Sequence, residues 1–308
     1  MMGEELGTVI GRGFDTWKRN IGISLPFVLD TLFSFLFALF VAFVFALIIG
    51  VDFLFSFIER VESVSRSMEA GGELQLVEVL GLMELIKPYI GLLALAFFIV
   101  VAGWIIIRTF FRAGAIGMAK IAIERGSTDL GVMMLYARRY FVNLVLLDAL
   151  IGLVMLAGIV FILPAFLLSE PFSGGFADFG GNMGLFVLGV LLWSAYMVVV
   201  WVIFRVAPYA LVVDSLHPLD ALKAGFGFFA SHKLDVVMLL ILTVVISILP
   251  GVILGGVPFV GGLLNMLVSV IVIQPLTLVW WVRLYMAKSG RAIYVNDLLL
   301  HPEDLKSF

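Results

Sequence analysis

From Val236 to Val282 the chain carries no charged side chain, and this stretch decides the solvent in which it folds. A hydrocarbon core of roughly 30 Å is crossed by about 20 helical residues, so the run has room for two passes. Pro250-Gly251 and Gly255-Gly256-Val257-Pro258 punctuate it, predicting spans at Val236 to Leu254 and Pro258 to Val282. One long tilted helix with a re-entrant segment is the alternative there. Four further stretches have span length: Ile21 to Gly50, Pro88 to Ile107, Leu144 to Leu168 and Leu185 to Phe204. Composition agrees, with 63% hydrophobic residues and a mean hydropathy of +1.18. Soluble domains stay near roughly 45–50% apolar. The fold class predicted is an all-α integral membrane protein with six transmembrane helices, residues 1–308 forming a single polytopic membrane domain. The first apolar run is far longer than a signal-peptide core and lacks a small-residue cleavage site, so it is expected to stay in the mature protein.

Orientation follows from the positive charges, because basic loops resist translocation. Of the 19 Lys and Arg residues, only Arg60, Arg66 and Lys87 fall at one set of span ends. The others, from Arg12 to Lys306, fall at the opposite set. Both termini are therefore expected in the cytoplasm, with the protein in the cell membrane. Outside, residues 51–87 carry several acids around Gly71-Gly72 and read as two helical pieces over the outer surface. Glu170 to Gly184 reads as a Gly- and Phe-rich connector.

Self-similarity adds a plan. Trp104-Ile-Ile-Ile-Arg108, Trp201-Val-Ile-Phe-Arg205 and Trp280-Trp281-Val-Arg283 each set an indole and then a guanidinium at a basic end. Spans one, three and five are led into alike, by Phe14 to Asn20, Tyr136 to Asn143 and Phe226 to Lys233. One-sided apolar stripes such as Leu6, Ile10, Phe14 and Trp17 predict interfacial amphipathic helices, each bending into its span. The units expected are 1–125, 126–218 and 219–308, three hairpins each preceded by such a helix.

The run Trp201 to Asp214, with Pro208-Tyr209, and Ala221 to Phe229 resembles the membrane domain attached to some glycerophosphoryl diester phosphodiesterases, and related uncharacterised stand-alone polytopic proteins. The resemblance is strongest over residues 196–235. It implies a membrane role and no transferable catalytic residue, since the chemistry of the fused members lies in a separate soluble domain for which this chain has no room.

Charges inside the membrane are costly and mark candidate sites. Asp30 and Asp148 are such charges, expected either to lock helices by pairing with Arg108, Arg112 or Arg205, or to relay a proton or cation. Gln274-Pro275, mid-span, reads as a kink whose freed carbonyl a nearby amide meets, or else as a ligand. The candidate binding residues are Arg108, Arg112, Trp201, Arg205, Arg283, Asp30, Asp148 and Gln274. Arg205 is expected to be structural, since it enters the Pro208-Tyr209 turn, and Arg108 and Arg112 to face headgroups. With no Cys and three His, thiol and histidine-rich metal chemistry are not expected. The G-x-S-x-G, H-E-x-x-H and Walker patterns are missing. The expected function is non-enzymatic binding of membrane lipids, anionic headgroups among them, with no cofactor and no nucleic acid. A small transporter and a membrane-embedded lipid enzyme are the competing readings.

Topology is testable on a chain without native Cys. Cysteine at Ser173 is expected to react with an impermeant thiol reagent from outside intact cells, and cysteine at Ser127 to be protected. Reaction of both would contradict six spans.

Overall fold

The structure, a computed structural model, describes residues 4–69, 84–168, 183–255, 260–291 and 293. Among these the regular structure is helical, without a strand. In chain order the helices are α1 (Leu6–Arg19), α2 (Leu25–Ile49), α3 (Val51–Glu69), α4 (Ile90–Arg125), α5 (Leu130–Ala157) and α6 (Leu163–Leu168). They continue with α7 (Met183–Phe204), α8 (Ala207–Asp214), α9 (Pro218–Ser231), α10 (Lys233–Leu254), α11 (Val260–Val268) and α12 (Gln274–Lys288). Six segments are long and apolar enough to cross a membrane: Ile21–Ile49, Glu84–Arg125, Leu130–Phe161, Gly184–Asp214, Lys233–Leu254 and Val260–Lys288. Large apolar side chains on them face outward, Phe40 being 63% and Phe98 68% exposed, as hydrocarbon surroundings require. The second outer helical piece and the Gly-rich connector lie outside the described residues.

Breaks occur where side chains or proline force them, and not everywhere the sequence suggests. Asn20 (φ −120°, ψ 55°) and His232 (φ −129°, ψ 39°) leave the helical region in the same way and separate α1 and α9 from the spans that follow. The second lead-in differs from expectation. Nothing interrupts the hydrogen-bond ladder at Asn143, so α5 runs unbroken from the Asp129 cap, whose carboxylate accepts from the Val132 N–H at 2.9 Å. The helix α10 continues through Pro250 to Leu254, the end expected for that span.

The chain divides into two compact units, Leu29–Arg108 and Met1–Val28 with Thr109–Phe308. Their bounds cut α2 and α4. Within the first, the Phe37 ring packs on Gly103, and Phe53 meets Tyr89 with ring centroids 4.5 Å apart. Within the second, the core lies around α8, buried from Ala207 to Val213, and α12, buried from Pro275 to Ala287. Against α12 packs the Val9, Gly13, Thr16 face of α1, its helical spacing forming one stripe. Gly225 of α9 lets the Ala207 backbone approach so closely that an added Cβ would lie 3.0 Å from its Cα.

The last span has a π-helical turn, Ser269–Ile273, before Gln274-Pro275. Pro275 has no N–H for the Ile271 carbonyl four residues earlier, which in a membrane must find another donor. Ser24 supplies it, its Oγ donating to Ile271 O at 2.6 Å. A hydroxyl from the turn before α2 thus meets the carbonyl, where the sequence suggested an amide. Ser24→Ala is expected to destabilise the protein by about 1–3 kcal/mol by orphaning this carbonyl. A thermal midpoint in detergent equal to the parent's would contradict that role.

Candidate functional site

Cations gather at the basic ends, and their partners separate them into kinds. Arg283 of α12 has a fully buried side chain and donates from Nε to Glu4 Oε2 at 3.0 Å and from Nη2 to Glu4 Oε1 at 2.9 Å. Arg12 Nη1 donates to the same Oε1 at 2.7 Å. Burial pushes the Glu4 carboxyl up, but hydrogen bonds and charge from Arg283 and Arg12 outweigh it and hold the group below its ordinary value. Beside this pair the Trp280 indole N–H donates to Ile10 O at 3.0 Å, pinning α1 to α12.

Arg112 of α4 pairs with Asp148 of α5 at 3.4 Å, one of the pairings expected for Asp148. In the unit Leu29–Arg108, the exposed Arg108 carries its guanidinium 4.8 Å over the Trp104 ring. Asp30 of that unit accepts from Ser34 at 3.4 Å and attracts Arg108. Gln274 points an exposed side chain outward, while its carbonyl accepts from Thr277 Oγ1 at 3.0 Å.

Around the end of α8 the other charges are also met. Lys120 donates to Val213 O at 2.9 Å, and Tyr285 donates to Asp214 at 2.6 Å. Arg291 pairs with Asp214 at 2.8 Å and Lys288 with Asp235 at 2.9 Å. Ser215, in the left-handed region at φ 56°, shares a 2.6 Å hydrogen bond with Tyr140.

Arg205 differs. It occupies the junction of α7 and α8, partly buried, with its guanidinium carbon 5.1 Å from the Trp201 ring centroid and 5.6 Å from that of Trp281. Trp201 is 39% exposed; Trp281 is fully buried and parallel to Tyr209, the planes 2° apart. Among the described residues no acceptor meets the Arg205 guanidinium, and its Nε and the Trp281 indole nitrogen are buried without a hydrogen-bond partner. The expectation had Arg205 structural and Arg112 facing headgroups; Arg112 has the carboxylate and Arg205 has none. Sequence reasoning also missed Glu4 and Asp214 as counter-ions. Among the described residues no group of three His, Cys, Asp or Glu side chains could hold a metal.

These features define a multi-pass helical membrane protein with a basic, aromatic set of span ends. It is similar to an uncharacterised protein of Archaeoglobus fulgidus, 25% identical over 306 residues that cover 94% of this chain and 97% of the relative. No protein-family model and no solved structure matches the chain. The specific likeness to the phosphodiesterase membrane domain therefore gains no support from a family match.

The Glu4 carboxylate, held below its ordinary pKa of about 4.5, contributes stability that is present above that value and lost as pH falls through the folded one. Glu4→Ala is expected to cost about 3–5 kcal/mol at neutral pH by stripping a buried guanidinium of its anion. Glu4→Gln should also be less stable, and its deficit in thermal midpoint should shrink below pH 4.5. A deficit constant from pH 7 to pH 3 would contradict this.

Proposed function

We propose that this protein is a non-enzymatic membrane protein that binds lipid, anionic headgroups foremost, at its basic aromatic span ends on the cytoplasmic side. The observation that carries the reading is Arg205: a cation half withdrawn from water, held against two indoles, with no anion from the described chain. An uncompensated buried charge is expensive, and an anion from outside would offset it. The Trp201 face is open enough for an acyl chain or glycerol to lie against it, and anionic headgroups are drawn to basic ends by about 1 kcal/mol per cation. The three-hairpin plan belongs to the same proposal, with α1 and α9 as amphipathic helices in the inner interface and both termini cytoplasmic. It is supported by the shared break at Asn20 and His232. Descent from the phosphodiesterase membrane domain would fit this role.

The transporter reading has one observation in its favour: Asn265 Oδ1 is buried without a hydrogen-bond partner, beside Gly251. An unmet acceptor within a span would suit a polar path, but one amide offers little of it.

Arg205→Ala is expected to leave the lipid-free thermal midpoint within a few degrees of the parent's, losing a cation–π contact of about 0.5–2 kcal/mol. It should abolish the rise that anionic lipid gives the parent in neutral detergent. An equal rise in variant and parent would reject the headgroup role of Arg205.

A further inference from the structure

We infer that α3 (Val51–Glu69) is a second membrane-contacting surface, apart from the basic ends. It lies along the bilayer at the far end of the first span and sinks Phe55, Ile58 and Val61 into hydrocarbon. At about 100° per residue, side chains on this helix fall into three sectors. Phe53 and Phe57 form the first; their rings stack with centroids 6.0 Å apart, and Phe53 meets Tyr89 at 4.5 Å, so the chain covers this sector itself. Ser56, Glu59, Ser63 and Arg66, three or four residues apart and all exposed, form a second that suits water. Phe55, Ile58 and Val61, each three residues on, form the third and are 67%, 52% and 42% exposed. Glu62, at the border of this stripe, turns to Arg66, whose Nη2 donates to it at 2.8 Å.

What covers the stripe follows from where α2 delivers it. The 25 residues of α2 extend about 37 Å, more than a hydrocarbon core of roughly 30 Å, so α3 starts at a membrane boundary. Gly50 breaks the helix there in the left-handed region, at φ 95°, where any side chain would be strained. Just before it, Leu47 and Ile48 are exposed on the last turn of α2, so the hydrocarbon that covers them continues onto the stripe. A stable protein partner takes roughly 20–30 residues a side, which three apolar side chains bordered by charge do not supply. The sequence of α3 holds four acids and two arginines, so anionic headgroups are not drawn to it as they are to the basic ends. Burial of apolar surface alone drives this contact.

The test places single cysteines on the full chain, which has none of its own: Ile58→Cys and Val61→Cys in the stripe, Glu59→Cys and Ser63→Cys in the polar sector. Each carries a solvent-sensitive NBD fluorophore, and the protein is held one copy to a phosphatidylcholine nanodisc, whose two faces are both open to water. Labels in the stripe are expected to emit to the blue of those in the polar sector. They should be quenched several times more strongly by nitroxide on the acyl chains than by iodide in the water, and labels in the polar sector should show the reverse. Equal iodide quenching at all four sites would overturn the inference. So would stripe labels shielded from both quenchers, since the chain itself would then cover them. Shielding that appears only when many copies share a vesicle would assign the stripe to a second copy and overturn the lipid contact. A blue shift in the stripe that needs phosphatidylglycerol in the disc would overturn its independence of anionic headgroups.

Discussion

A hydrogen-bonding group in hydrocarbon must find its partner within the chain or be met by something brought to it. The helices answer this for most of the backbone. Where the ladder fails, a particular side chain repairs it: the Ser24 hydroxyl meets the carbonyl that Pro275 frees, and Lys120 meets a carbonyl at the end of α8. The Glu4 carboxylate does the same for the buried Arg283, tying the start of α1 to the last span. The same constraint makes Arg205 and Trp281 conspicuous, since neither has found its partner among the described residues.

Spacing explains why three similar Trp-Arg ends come to differ. Trp104 and Arg108, like Trp201 and Arg205, are four residues apart, which on a helix sets the guanidinium one turn from the indole and allows the observed cation–π contact. In the third end the tryptophans stand two and three residues before Arg283. That arginine turns to Glu4, Trp280 turns to the α1 backbone, and Trp281 is left to face Arg205. Similar sequence thus produces a buried structural ion pair in one place and an unmatched cation in another.

The spans were legible because hydropathy is a property of each segment alone, and each of the six predicted stretches overlaps one of the six apolar helical segments found. Breaks were less legible. The second lead-in was expected to bend at Asn143 and does not, while Asn20 and His232 break their helices without any proline. The site was least legible, since its character depends on which cation receives which anion. Arg112 and Asp148 could be paired in anticipation because consecutive spans carry them. Nothing local links Arg283 to Glu4, which lies 279 residues away, so an arginine without a carboxylate, such as Arg205, could not be singled out from one sequence.

The central claim is that Arg205 takes its anion from outside the chain. A structure of the full protein in a bilayer containing anionic phospholipid tests it most directly. The account predicts a headgroup phosphate within hydrogen-bonding distance of the Arg205 guanidinium, at about 2.7–3.2 Å. A carboxylate of the chain itself on Arg205, or acyl chains alone around it, would contradict the account.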